Sequence, residues 1–67
     1  MKQRRWEARE GSTISHWTWS RSQGLRVHYR DGMVCKSDWG SLRNFLAAIA
    51  RGMEFAREVP VIKENES

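Results

Sequence analysis

Leu25-Arg26-Val27-His28-Tyr29-Arg30-Asp31-Gly32-Met33-Val34-Cys35-Lys36 is the stretch on which the reading of this 67-residue chain turns. Leu25, Val27 and Tyr29 alternate with Arg26, His28 and Arg30, the period of a strand with one apolar and one cationic face. Asp31-Gly32 fits a two-residue turn with positive φ at both positions, which pairs Tyr29 with Val34 and His28 with Cys35. That register sends Val34 to the apolar face and leaves Met33 and Cys35 among the arginines.

From Thr13 to Ser37 the chain is rich in Trp, Thr, Val, Tyr and Ile, strand-forming residues interrupted by Ser22-Gln23-Gly24 and by Asp31-Gly32, so a further strand precedes the first of these turns. If Ser22-Gln23-Gly24 forms the loop, with Gly24 left-handed, Trp19 lies opposite Val27 and Trp17 opposite Tyr29, and both tryptophans are core. A four-residue loop from Arg21 to Gly24 slips the register by one and turns both tryptophans outward as a stacking platform. The shorter loop is preferred, because so small a domain needs its largest strand side chains inside. Residues 1–12 are charged, with Trp6 as their one large apolar group, and read as a flexible basic arm.

Downstream the period changes. At about 100° per residue, Trp39, Leu42, Phe45, Leu46, Ile49, Ala50, Met53 and Ala56 fall in one sector, with Arg43, Asn44, Arg51, Glu54 and Glu58 outside it. This predicts a one-faced helix over Leu42–Ala56, capped by Ser37 or Asp38. Gly52 marks close packing or an early end. Phe55, with Ala48, falls opposite the core sector and is the best exposed apolar contact. Val59–Ile62 is a candidate edge strand that Pro60 weakens, and residues 60–67 read as a polar tail.

The assembled expectation is an α+β domain over residues 13–59: a three-stranded antiparallel sheet packed on one C-terminal amphipathic helix (βββα), with one sheet face left open. On the preferred register that face carries His16, Thr18, Ser20, Arg26, His28, Arg30, Met33 and Cys35, with Lys36 at its margin. Twelve Lys plus Arg against eight Asp plus Glu give a net charge of +4 and a sequence pI near 10.0. Such a balance favours an anionic partner, although it also serves plain solubility. A single cysteine excludes an internal disulfide. No apolar run nears the roughly 18 residues of a membrane span, and the charged start is unlike a signal peptide, so the expectation is a cytoplasmic protein with no membrane partner.

The order of a short basic arm, three strands and a helix, with Tyr29-Arg30-Asp31-Gly32 followed by the amphipathic Leu42–Ala56, resembles the arm-type DNA-binding domain at the N-terminus of phage tyrosine recombinases. It is more distantly similar to plant ethylene-response-type domains. The likeness covers roughly Arg4 to Arg57. It implies DNA reading by the sheet face with a minor role for the arm and, as a recombinase catalytic domain is lacking, a free-standing binder or accessory factor of phage or mobile-element type.

Each group also has a plainer explanation. Alternating Arg26, His28 and Arg30 are often only the solvated face of a strand, and Arg4 and Arg5 are often only solubilising residues in a charged terminus diluted by Glu7 and Glu10. Catalytic chemistry finds little support. Cys35 beside His28 lacks an orienting third group. His16, His28 and Cys35 offer three zinc ligands in no recognised motif. There is no Gly-rich phosphate loop or carboxylate pair. The expectation is therefore no enzyme, no cofactor and no metal. Two functions remain: a nucleic-acid-binding module, DNA favoured, using Arg4, Arg5, Arg26, His28, Arg30 and Lys36, or a protein-interaction module that docks a protein partner, or forms a homodimer, through Trp6 and the Phe55 side of the helix.

Overall fold

A computed structural model describes residues 3–61 of the chain. Strands β1 (Gln3–Ala8), β2 (Ile14–Ser20), β3 (Gly24–Tyr29) and β4 (Val34–Lys36) come first, followed by the helix α1 (Leu42–Ala50) and strand β5 (Ala56–Val59). All pairings are antiparallel, in the order β4-β3-β2-β1-β5. The α+β class holds, but the sheet has five strands rather than three.

One additional strand comes from the segment expected to be an arm. In β1, Arg4, Trp6 and Ala8 alternate with Gln3, Arg5 and Glu7, and Trp6 is only 2 % exposed. Burying an indole of roughly 200 Å² is worth on the order of 5 kcal/mol as an upper figure, enough to hold an otherwise charged segment against the sheet. Trp6 meets Phe45 of the helix edge-on, with ring centroids 5.0 Å apart, and Trp17 of β2 meets the same phenyl ring at 5.2 Å. Leu25, Val27 and Ala48 complete the buried set. Trp6 is thus a core residue and not an exposed contact.

The helix is shorter than its apolar periodicity predicts. Ser41, not Ser37 or Asp38, caps it: the Ser41 hydroxyl accepts from the Asn44 N–H at 3.2 Å. Ser37 instead is buried, and its hydroxyl accepts from the Trp39 N–H in the preceding turn. At the far end Gly52 takes φ +77°. Its N–H donates to the Ile49 carbonyl at 3.1 Å, and the Met53 N–H donates to Ala48 at 2.8 Å. This paired 6→1 and 5→2 arrangement terminates a helix. Met53 and Ala50 are therefore exposed rather than core, and Ala48 is buried rather than outward. Beyond the helix, Ala56–Val59 pairs with β1, so the edge strand begins three residues before the position expected from sequence. The expected strand residue Ile62 and the tail from residue 62 onward lie outside the described residues.

Both hairpin registers also differ from expectation. The β2–β3 loop does have three residues, Arg21–Gln23, with Ser20 opposite Gly24. Trp17 consequently faces Val27 and Trp19 faces Leu25, a two-residue displacement that leaves both tryptophans on the core face. The β3–β4 turn has one more residue than expected. His28 pairs with Val34 and Val27 with Cys35, because the Tyr29 N–H donates to the Met33 carbonyl, and the Asp31 carboxylate accepts from the Met33 N–H. Only Gly32, at φ +100°, is left-handed there. A single-residue slip reverses a strand's faces, so Cys35 packs toward the core while Val34 and Lys36 lie on the open side.

Candidate nucleic-acid interface

Side chains directly opposite on antiparallel strands share a face, and pairing across all five strands builds two rows on the side away from α1. One row reads Val59, Arg5, Thr18, Arg26, Lys36. The neighbouring row reads Arg57, Glu7, His16, His28, Val34. Interstrand spacing of about 4.8 Å makes the sheet roughly 19 Å wide from β4 to β5 and sets Arg5 about 14 Å from Lys36. Arg5, Arg26, Lys36 and Arg57 thus stand on one surface with Glu7 as the only carboxylate of the two rows. Every aromatic side chain of β1 to β3 except the two imidazoles faces the core side.

In the middle of this surface His16 and His28 stack, with centroids 4.2 Å apart and an interplanar angle of 14°. The Thr18 hydroxyl bonds His28 Nε2 at 2.8 Å, and the Ser15 hydroxyl bonds His16 Nδ1 at 3.0 Å. Ser15 lies in the irregularity that interrupts β2 between Ile14 and His16. Burial, followed by the charge of Arg5, pushes both imidazoles below the ordinary histidine value; His28 disfavours protonation of His16 further, Glu7 favours it, and Arg26 adds to the depression at His28. The direction of both shifts favours the neutral ring. Arg26 Nε is buried and has no hydrogen-bond partner among the described residues.

A polar depression of about 440 Å³ opens where Arg5, Glu7, Ser15 and Arg57 meet Glu10 and Arg30. Arg30 reaches it from the β3–β4 turn and not from the strand rows. Its Nε donates to the Ser12 carbonyl at 2.6 Å and its Nη2 to the Arg9 carbonyl at 3.4 Å, tying two turns together.

Of the residues singled out for nucleic acid, Arg5, Arg26, His28 and Lys36 share the open face. Arg30 is set at its end by backbone carbonyls. Arg4 is on the other side: both its Nε and Nη2 lie 2.9 Å from the Glu58 carboxylate, and its guanidinium stands 5.1 Å from the Trp6 ring centroid. That bidentate pairing raises the Arg4 pKa and lowers that of Glu58. Cys35 lies on the opposite side of the sheet from His16 and His28, so the three do not converge on one metal. Phe55 is exposed, 64 %, yet it belongs to the connection after the helix and not to a helix face; Arg9 approaches its ring at 6.0 Å.

Sequence reasoning missed Arg57 and Glu7. Ala-Arg-Glu-Val has a strand's alternation, but it continues the helical period of the preceding residues, and only its pairing with β1 reveals the face each side chain takes. No protein-family model matches the chain, and neither a curated protein nor a solved structure gives a significant match.

Proposed function

We propose that this protein is a small nucleic-acid-binding module rather than an enzyme, and that it grips the phosphate backbone with its open sheet face. The observation that carries this reading is the cross-strand gathering of Arg5, Arg26, Lys36 and Arg57 on one surface. Three of the acidic groups are engaged elsewhere: Glu58 is held by Arg4 on the other side, Glu54 accepts from the Trp39 indole at 3.2 Å, and Asp31 closes a turn, while Glu10 joins Glu7 at the depression beside Arg5 and Arg57. Width argues for the manner of binding. A three-stranded sheet can enter a major groove about 12 Å across, whereas a sheet of roughly 19 Å rests across the backbone. With its tryptophans inward, the face has little to stack on unpaired bases. Duplex DNA contacted through phosphates, with weak sequence preference, is the reading that follows.

The test is fluorescence anisotropy with a labelled mixed-sequence duplex over a range of salt. Four phosphate contacts give a slope of log K against log salt of about −3.6. Arg26→Ala with Lys36→Ala should weaken binding at least tenfold and flatten that slope by about two contacts' worth. Arg43→Ala with Arg51→Ala, on the helix side, should leave it unchanged. Equal losses from both pairs, or no binding at about 50 mM salt, would overturn the assignment.

A further inference from the structure

We propose, building on the nucleic-acid reading above, that the stacked His16–His28 pair is a proton-dependent phosphodiester subsite: a backbone phosphate seated on the imidazoles binds together with a proton. The two rings lie at the centre of the open face, one from each of two neighbouring strands, 4.2 Å apart. A hydroxyl occupies one nitrogen of each ring, Nδ1 of His16 and Nε2 of His28. His16 Nε2 and His28 Nδ1 have no hydrogen-bond partner among the described residues. A neutral imidazole offers its free nitrogen as a donor in one tautomer only, the one whose other nitrogen accepts from the hydroxyl; the imidazolium donates from both nitrogens and adds the positive charge that attracts a phosphate.

The surroundings couple the proton to the ligand. Arg5 on β1, Arg26 on β3 and Lys36 on β4 stand in the adjacent row, while Glu7 lies beside His16 with Arg57 beyond it, and uncharged Val34 lies beside His28. In the free protein these four cations outnumber the carboxylates of Glu7 and of Glu10, the latter in the depression beside Arg5 and Arg57, and oppose imidazolium. A phosphodiester placed among them reverses the local field. Ligand and proton therefore promote each other's binding, by equal factors in each direction. Stacked rings this close titrate as a coupled pair, since a second proton is repelled by the first. About one proton is taken up, so affinity should rise by up to about tenfold per unit fall in pH across the pair's titration.

The experiment uses the full chain and a labelled mixed-sequence DNA duplex of about 20 base pairs at constant ionic strength, from about pH 7.5 to 5.5, with folding checked by circular dichroism at each pH. These are the chain's only two histidines, so the imidazole resonances can be followed by NMR with and without saturating duplex. The expected result is tighter binding at lower pH, an upward shift of the imidazole titration on adding duplex, and loss of the pH dependence in His16→Gln/His28→Gln. Binding that ignores pH, or a titration unmoved by saturating duplex, overturns the subsite and leaves the broader assignment standing. Absence of binding at every pH overturns both. The wild-type NMR titration decides the matter even if the double variant does not fold.

Discussion

His16 and His28 show at the scale of single residues how position on a sheet sets chemistry. Neither imidazole is deeply buried, yet desolvation and the nearby arginine charge push both below the ordinary value of 6.5. The unfolded chain then binds more protons than the folded one below about pH 6.5. Their contribution to stability is complete above that pH and is lost as pH falls through the depressed folded values. Urea midpoints should accordingly fall between about pH 7 and pH 5.5, with a smaller fall in His16→Gln/His28→Gln. A wild-type midpoint independent of pH over that range would contradict the placement of these rings. Glu58 is held below its ordinary value of 4.5 and so titrates under this window. Arg4 makes the complementary point. Adjacent to Arg5 in sequence and identical in charge, it is directed to the opposite side by the strand's two-residue period, where Glu58 neutralises it. A surface pair of this kind is worth at most about 1 kcal/mol, so its importance lies in removing one cation from the open face.

At the scale of elements, the helix illustrates how local chemistry overrides periodicity. Met53 and Ala56 continue the apolar stripe, but Gly52 stops the helix with both of its terminal hydrogen bonds in place. The six residues released let the chain turn back and lay Ala56–Val59 against β1. A Cβ built on Gly52 meets nothing within 4 Å, so substitution is opposed by the backbone alone. Gly52→Ala should cost roughly 1–2 kcal/mol in a urea melt. A neutral result would mean that the helix is ended by packing against the sheet instead. The β3–β4 turn shows the same authority of local geometry. One additional residue, with Asp31 bonded to the Met33 N–H, exchanges the faces of Val34 and Cys35. Lys36 thereby enters the row with Arg26.

For the whole molecule, the decisive fact is that β1 lies between β2 and β5. Its backbone is paired on both sides and its indole occupies the core, so the charged beginning of the chain is architecture. Deleting residues 1–8 should abolish cooperative thermal unfolding and collapse the dispersion of the NMR spectrum, because a domain of this size has no reserve of buried surface. A shortened chain that stays folded with weakened DNA binding would restore the arm-like role. Five strands also change the scale on which a ligand is met. The face is broader than a groove, it bears four cations in two rows, and the proposed grip would depend on strands that are far apart in sequence, Arg5 and Arg57 above all.

The alternation of Leu25, Val27 and Tyr29 with Arg26 and His28, the inward direction of Trp17 and Trp19, and the helix through Leu42, Phe45 and Ile49 were all legible from the chain alone. Each is a local periodicity that burial of one face enforces. Nothing local distinguishes a charged arm from a charged strand, or Ala56–Val59 as helix from the same residues as an edge. In both segments backbone hydrogen bonds to distant partners and the burial of one tryptophan outweigh weak intrinsic preferences. The membership of the cationic face was therefore decided only when β1 and β5 paired, since a side chain's direction on a strand is fixed by its register and register is a property of the assembled sheet.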